Sequence, residues 1–168
     1  MPYNPARDVY PNIEISLADQ TLSLRKNPGT APEVYPVSTA ANGGGESNGS
    51  GCTPRGKHYI RALVGAGQPL NTVYVGRRPT GEILTPELAA SSPERDWILT
   101  RILWLCGREP GRNRVGQVDS FRRFIYIHGT PDTEPMGIPE SHGCIRMRND
   151  QVAELYGQVP PGTPVHIT

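Results

Sequence analysis

Glycine and proline recur along the whole chain, with 19 glycines and 18 prolines among its 168 residues. Both residues interrupt regular structure, because glycine loses the most backbone entropy on folding and proline cannot donate a backbone hydrogen bond. Apolar residues still make up 36% of the sequence, which is enough for a hydrophobic core. The sequence therefore predicts a single domain over residues 1–168, built mainly from short strands and turns.

Alternating apolar residues give the positions of the strands. Ile13, Ile15 and Leu17, followed by Leu22 and Leu24, predict a hairpin with one buried face. Further predicted strands cover residues 34–38, 58–64, 72–75, 97–105, 121–128, 144–147 and 165–167. We expect a mainly β fold, a sandwich or barrel, with one or two short peripheral helices.

Two short helices are predicted from their end signals. Thr85 is a candidate N-cap, and the Pro-Glu pair after it favours a helix that continues to Ala90. Asn149 is a candidate N-cap for a second helix over residues 150–156, which Gly157 ends.

Two polar segments are predicted to be loops. Residues 42–51 contain five glycines and no apolar side chain, so we expect this segment to be mobile. Residues 106–120 are polar and turn-rich, and they are a candidate flap over a cleft. Residues 51–57 match the first part of a phosphate-binding loop, but His58 replaces the hydroxyl residue that would hold magnesium. Nucleotide binding is therefore not expected.

Charge and cysteine usage exclude several classes of partner. The formal net charge of +1 gives no overall attraction to nucleic acid or to a membrane surface, and we expect neither partner. Cys52, Cys106 and Cys144 are odd in number and widely spaced, which favours free thiols over disulfides or a structural zinc site. No motif indicates a cofactor, and the sequence makes no prediction of oligomeric state.

The N-terminal segment guides the expected location of the protein. Residues 1–12 lack the apolar stretch of a secretory signal, so we expect a cytoplasmic protein. If this sequence is a trimmed form of a longer natural chain, the alternative is a periplasmic location.

The candidate catalytic residues lie between residues 128 and 149. A predicted strand ends on His128, and Cys144 opens a later strand directly after His142 and Gly143. A thiol with its usual pKa of about 8.5 is only a few per cent ionised at neutral pH, so a nucleophilic cysteine needs a base. His142 stands about 6–7 Å from the thiol if the segment is extended, whereas a histidine on the adjacent strand meets it across the ladder. We therefore predict His128 as the base.

Neighbouring residues are candidates for shaping the site. Ser141, His142 and Gly143 precede the thiol, and the N–H groups of Gly143 and Cys144 are predicted to bind a developing oxyanion. Strand alternation places Arg146 on the face of Cys144, where it is predicted to hold a substrate carboxylate. Asn149 is a second candidate for substrate binding, although a role as helix cap explains it equally well.

These residues resemble the L,D-transpeptidase catalytic domain, also called the YkuD domain. The family signature joins a His-Gly pair, here His128-Gly129, to a later Ser-His-Gly-Cys segment followed by an arginine and an asparagine. Residues 13–24 are similar to the family's opening hairpin, residues 37–39 to its next strand, and residues 53–56 to its Thr-Pro-x-Gly turn. The resemblance implies a β-sandwich-like fold with Cys144 as the nucleophile and His128 as its base, oriented by the main-chain carbonyl of Gly129.

The resemblance also implies a substrate, the murein tetrapeptide stem L-Ala-D-Glu-meso-diaminopimelate-D-Ala. Cys144 would attack the carbonyl that joins the L-centre of diaminopimelate to D-Ala and form a thioester. Hydrolysis of the thioester defines an L,D-carboxypeptidase, and attack by an amine of a second stem defines an L,D-transpeptidase that forms 3-3 cross-links. The expected cytoplasmic location favours a carboxypeptidase of murein recycling, with the transpeptidase as the alternative.

A non-catalytic binder of an anionic polymer is the third hypothesis. It would use arginines of the predicted flap and of the predicted strand after it, namely Arg108, Arg112, Arg114, Arg122 and Arg123. Glu109 and Asp119 interrupt this run, and runs of charge are usually solvated surfaces.

Overall fold

A computed structural model describes residues 9–168 of the chain. Residues 1–8, which belong to the segment inspected for a secretory signal, lie outside the described residues. The strands are β1 (Asn12–Ser16), β2 (Thr21–Arg25), β3 (Glu33–Pro36), β4 (Gly56–Val64), β5 (Thr72–Val75), β6 (Arg78–Ile83), β7 (Ile98–Gly107), β8 (Tyr126–Gly129), β9 (Ile145–Met147) and β10 (Pro164–Ile167). The helices are α1 (Pro86–Ser91) and α2 (Asn149–Tyr156), with a 3₁₀ turn at Gly116–Val118.

All of these strands belong to one curled sheet. Its order is β3-β2-β1-β10-β4-β7-β5-β6, while β8 pairs with β7 and β9 pairs in parallel with β8. The sheet then returns to its start, because Ser38, just after β3, exchanges backbone hydrogen bonds of 3.0 and 2.9 Å with Arg146 in β9. The predicted mainly β fold is confirmed, in the barrel-like form of the two alternatives.

The core fills the inside of this curled sheet. Strand alternation points one face of each strand inward, and α2 adds two apolar side chains to it. Burying a Leu or Ile side chain fully contributes about 1.5–3 kcal/mol, so these contacts dominate the stability of the fold. The largest fully buried side chains of this cluster are Ile13, Ile15, Leu22, Leu24, Ile60, Leu103, Leu105, Ile127, Ile145 and Met147.

Most predicted elements are confirmed. Three differ, namely β6, the start of β8 and the start of α2. The opening hairpin and the 72–75 strand have the predicted bounds within two residues, and Thr85 caps α1 through a 3.1 Å bond from the Leu88 N–H. Strand β6 was not predicted because Pro79 and Gly81 argue against a strand, but both are tolerated in a sheet edge. Residues 121–125 form a turn, and β8 begins only at Tyr126.

The second helix begins differently from the prediction. Helix α2 starts at Asn149 itself, with Arg148 in the N-cap position and no side-chain cap. Gly157 ends the helix, as predicted, and its N–H donates to the Ala153 carbonyl at 3.3 Å. The Asn149 side chain is used for other contacts, which are described with the site.

The glycine-rich loop is anchored, in contrast to the predicted mobility. The guanidinium group of Arg123 donates to the carbonyls of Gly45, Glu46 and Cys52 at 3.3, 3.2 and 2.7 Å, and to the Ser50 hydroxyl at 3.3 Å. Several backbone acceptors are thus satisfied by one side chain, which the glycine content of the loop does not indicate.

Three further predictions can be compared with the structure. The three cysteines are free thiols. Residues 56–64 form a strand where a phosphate-binding loop would require a helix. No helix within residues 9–168 is long and apolar enough to cross a bilayer.

Candidate active site

A cleft of about 380 Å³ contains the predicted catalytic pair. The predicted site residues that line it are Ser141, His142, Cys144, Arg146 and His128. Its other walls come from residues 74–77 around the β5–β6 turn, from residues 123–126, and from Asp96, Ile98 and Ile102. Residues 106–120 contribute nothing to this lining, so the predicted flap is wrong. Asn113 holds that segment against the start of β4 by donating to the Arg55 and Lys57 carbonyls, each at 3.1 Å.

The Cys144 thiol is held by two backbone groups. Its Sγ donates to the Phe124 carbonyl at 3.2 Å and accepts the Tyr126 N–H at 3.3 Å. Phe124 has φ of 58°, which is unusual for a bulky residue, and this conformation directs its carbonyl oxygen at the thiol. Burial raises the pKa of Cys144 to about 12, although the Tyr126 N–H and the Arg146 charge oppose this shift. The thiol is therefore neutral at physiological pH.

The His128 side chain is buried and has a defined tautomer. Its Nδ1 lies 2.6 Å from the Gly129 carbonyl oxygen, which can only accept, so Nδ1 carries the proton and Nε2 is basic. This is the orienting contact that the family resemblance implies. Burial lowers the pKa of His128, which keeps the ring neutral despite the nearby Asp96.

The relative position of the two residues corrects one detail of the prediction. Strands β8 and β9 are adjacent, as predicted, but their register pairs His128 with Arg146. The Cys144 side chain lies beside Tyr126, so His128 is its diagonal neighbour on the same face. Long side chains still reach each other diagonally, and catalytic hydrogen bonds often shorten only when substrate is bound.

The Ser141–Cys144 segment is a tight turn. The Ser141 hydroxyl donates to the Cys144 carbonyl at 2.5 Å and accepts the Gly143 N–H at 3.2 Å. Gly143 has φ of 135°, and a Cβ there would lie 3.3 Å from the Cys52 carbonyl oxygen, which explains the glycine. The oxyanion role of the Gly143 N–H stays a prediction, and it requires a substrate oxygen to replace the Ser141 hydroxyl as the acceptor.

Thr53 connects this turn to the start of the sheet. Its buried hydroxyl donates to the Gly143 carbonyl at 2.8 Å and accepts the Ala40 N–H at 3.0 Å. The Thr-Pro-x-Gly pattern of the sequence indicated this position, but not its contact with Gly143.

We expect Thr53→Val to lower the free energy of unfolding by about 2 kcal/mol, because two buried backbone groups lose their partner. Chemical denaturation measures the change. Thr53→Ser keeps the hydroxyl and should lose clearly less. Equal losses for the two variants would show that the methyl group, and not the hydrogen bonds, carries the effect.

Arg146 already has an acidic partner in the protein. Its guanidinium group donates to Asp96 Oδ1 at 3.0 Å and to the Glu140 carbonyl at 3.4 Å, and it lies 4.0 Å from Glu134 Oε2. Asp96 Oδ2 lies 3.2 Å from Nδ1 of His142, whose side chain is 76% exposed. Arg146 therefore faces the cleft as predicted, but as half of an ion pair. Sequence reasoning missed Asp96, because no motif surrounds it.

Asn149 does not line the cleft. Its amide nitrogen donates to the Thr130 carbonyl at 2.8 Å and to Asp132 at 3.2 Å, and its oxygen accepts the Thr100 hydroxyl at 2.5 Å. The side chain is buried and fully used inside the protein. It fixes the chain just after His128-Gly129, and the predicted substrate contact is replaced by this positioning role.

Stacked side chains form the wall next to Phe124. The Arg77 guanidinium group lies 4.8 Å from the Trp104 ring centre and 5.0 Å from that of Phe124, and it donates to the Tyr126 hydroxyl at 3.2 Å. The Trp104 ring also stacks on Phe121 at 4.0 Å. These contacts fix the residue whose carbonyl accepts the Cys144 thiol.

The arginines considered for polymer binding have separate uses. Arg123 holds the glycine-rich loop and lines the cleft, Arg112 pairs with Glu109 at 3.3 Å, and Arg108 lies over the Tyr59 ring at 4.9 Å. Each of these three side chains is thus engaged inside the protein, which disfavours the third hypothesis.

The raised pKa of Cys144 predicts an unusual reactivity. A pKa of about 12 leaves a thiolate fraction of about 10⁻⁵ at pH 7, and this fraction rises about tenfold per pH unit. The alkylation rate of Cys144 by iodoacetamide, followed by peptide mass spectrometry, should therefore keep rising through about pH 10. A plateau near pH 8.5, where an ordinary thiol is half ionised, would contradict the neutral resting thiol.

Comparison with known proteins identifies the family of this chain. The model of the L,D-transpeptidase catalytic domain, YkuD, matches residues 11–167. A putative L,D-transpeptidase YqjB from Bacillus subtilis is 50% identical over 46 residues, which cover 27% of this chain and 26% of that protein. A probable L,D-transpeptidase ErfK/SrfK from Escherichia coli is 47% identical over 45 residues, or 27% of this chain and 14% of that protein.

Solved structures show the same fold at low sequence identity. An L,D-transpeptidase from Xylanimonas cellulosilytica aligns with a TM-score of 0.54 and 18% identity over 99% of this chain and 65% of that chain. A cysteine mutant of the Enterococcus faecium L,D-transpeptidase aligns with a TM-score of 0.56 and 15% identity over 95% of this chain and 50% of that chain. With a family model that matches nearly all of the described residues, this chain belongs to the L,D-transpeptidase catalytic domain family.

Proposed function

We propose that this protein catalyses acyl transfer on murein peptide stems, beginning with release of D-Ala from a tetrapeptide. The observation that carries the proposal is the pairing in one cleft of the Cys144 thiol with a histidine whose Nε2 is basic. Cys144 attacks the carbonyl between the L-centre of diaminopimelate and D-Ala. His128 Nε2 takes the thiol proton and then gives it to the leaving amine.

The neutral resting state decides how this step proceeds. Burial raises the pKa of Cys144 and lowers that of His128, which favours transfer of the proton from Sγ to Nε2 as the sulfur attacks. The Gly129 carbonyl accepts from Nδ1 and stabilises the positive charge that the ring acquires. This arrangement protects the thiol from reaction until a carbonyl group is in place.

The charge of the cleft supports an anionic substrate. Arg77, Arg123 and Arg146 line it, and Asp96 is the sole acidic residue among the cleft-lining residues that the structure describes. The stem carries carboxylates on D-Glu, diaminopimelate and D-Ala, so the excess of arginines matches it.

The acceptor of the thioester determines the final product. Water gives the tripeptide, which is the L,D-carboxypeptidase reaction that the sequence predicts, and recycled fragments would be its substrates in the predicted cytoplasmic location. An amine from a second stem gives a 3-3 cross-link, and the names of the relatives favour this second candidate. Both outcomes share the thioester at Cys144.

Product analysis separates these functions. Purified protein is incubated with disaccharide-tetrapeptide, and the products are weighed by mass spectrometry. Loss of D-Ala alone supports hydrolysis, whereas 3-3 linked dimers support transpeptidation. The absence of both products would contradict acyl transfer on murein stems.

A further inference from the structure

Asp96 places one negative charge in a cleft whose lining also contains the cations Arg77, Arg123 and Arg146. It lies between α1 and β7 and is followed by the buried Trp97, whose ring lies 4.3 Å from the Arg95 guanidinium carbon. The position of Asp96 is therefore fixed by its neighbours in the chain. Asp96 lies outside the signature residues 128–129 and 141–149.

The Asp96 carboxylate is ionised and still accessible. Burial raises its pKa, but the His142 hydrogen bond and the charge of Arg146 act against burial, and the pKa lies below its usual range. The side chain remains 45% exposed. A carboxylate offers about four acceptor positions, and Arg146 and His142 occupy two of them. The remaining positions are free to accept hydrogen bonds from a ligand.

An aspartate and an arginine that face one cleft as a pair are complementary to an amino-acid group that carries both charges on one carbon. Its ammonium group fits Asp96, and its carboxylate fits Arg146, which has donors beyond those already used. A single carboxylate or phosphate would use Arg146 but would be repelled by Asp96. The pair therefore selects a zwitterionic group over a simple anion.

The spacing from the thiol agrees with the proposed substrate. Arg146 lies two residues beyond Cys144 on the same strand face, which separates the two positions by about 6–7 Å. In meso-diaminopimelate, a short methylene chain of similar extended length separates the scissile carbonyl from the zwitterionic D-centre. The ion pair thus lies where this end of the side chain reaches when the carbonyl meets Sγ.

We propose that Asp96 binds the side-chain ammonium group of the diaminopimelate residue and makes the enzyme selective for this diamino acid. The inference rests on the proposed function, because the distance argument takes the stem carbonyl as the target of Cys144. Asp96 is then a specificity residue that contacts the substrate beside the reacting bond.

The test compares two stems with two proteins. One substrate is the natural tetrapeptide, and the other contains 2-aminopimelate, which keeps the methylene chain and the carboxylate and lacks only the amino group. D-Ala release is measured for both, because this step needs no acceptor amine. Wild-type protein should lose about tenfold in kcat/KM without the amino group, as expected for one charge-assisted contact at a half-exposed site.

The Asp96→Asn variant should process both stems at the same reduced rate, so that the ratio of about ten disappears. Glu134→Gln is the matched control, because Glu134 lies 4.0 Å from Arg146 but does not line the cleft. This control should keep the wild-type ratio.

Two results would overturn the inference while leaving acyl transfer intact. Wild-type protein would release D-Ala equally from both stems, or Asp96→Asn would lower both rates and keep the tenfold ratio. The second result would mean that Asp96 acts only by positioning Arg146. Release of D-Ala from neither stem by wild-type protein would overturn the proposed function together with this inference.

Discussion

Replacing Cys144 by alanine is expected to reduce D-Ala release from the tetrapeptide by at least about 10³-fold, because removal of a covalent nucleophile leaves only binding and polarisation of the carbonyl. The assay is the rate of D-Ala release under saturating substrate. The cleft should keep its shape, because alanine loses only the two hydrogen bonds of Sγ, to the Phe124 carbonyl and from the Tyr126 N–H, and keeps Cβ at the edge of the apolar cluster.

Cys144→Ser controls for those contacts. The hydroxyl can donate to Phe124 and accept from Tyr126, so the fold keeps both hydrogen bonds, but a serine hydroxyl is a far weaker nucleophile at this site. Both variants should be inactive and should unfold at similar denaturant concentrations. Activity within about tenfold of wild type in either variant would exclude the thioester mechanism.

Replacing His128 by glutamine is expected to slow D-Ala release by about 10²–10⁴-fold, the usual contribution of a general base. Glutamine cannot take the thiol proton, and the raised pKa of Cys144 leaves almost no thiolate to compensate. The residual rate of the variant should therefore rise about tenfold per pH unit as solvent hydroxide takes the proton instead.

The pH dependence of the wild-type rate of D-Ala release tests the same role of His128 as a base. Burial lowers the pKa of His128, so the basic ring persists to lower pH than an ordinary histidine, and the rate falls only as the pH drops below that lowered value. His142→Gln is the control, because the exposed His142 ring contacts Asp96 and not the thiol. If His142→Gln slowed D-Ala release as much as His128→Gln does, the prediction of His128 as the base would be wrong.

The sequence was sufficient to predict Cys144 and His128 as the candidate catalytic pair, because both residues sit in short motifs, and both line the same cleft. His128 lies near the end of the apolar strand β8, and Cys144 directly precedes β9, so the sequence predicts that the two residues lie on adjacent strands. The register between these strands was not predictable. It depends on the parallel pairing of β8 with β9, and a parallel ladder leaves no hairpin turn from which the register follows.

Residues that act through tertiary contacts were the hardest to predict. Asp96 meets Arg146 from a segment about fifty residues away, and nothing in its own neighbourhood marks it. Asn149 carries a valid capping signal, yet the fold uses its amide for Thr100 and Thr130, because capping preference is weak compared with two buried hydrogen bonds. Polar composition identified residues 106–120 as a loop, but it could not indicate which surface the loop covers.

The backbone pairing of Ser38 with Arg146 closes the curled sheet, and we call this contact the seam. Strand β9 has only three residues, and its neighbours are β8 on one side and the segment after β3 on the other. The second contact closes a loop that includes most of the chain, and such long-range closures form late in folding because their entropy cost is high. The amide proton of Arg146, which bonds to the Ser38 carbonyl at 2.9 Å, should exchange with solvent only when this seam opens. The hydrogen exchange of the strand that follows Cys144 therefore reports whether the curled sheet is closed.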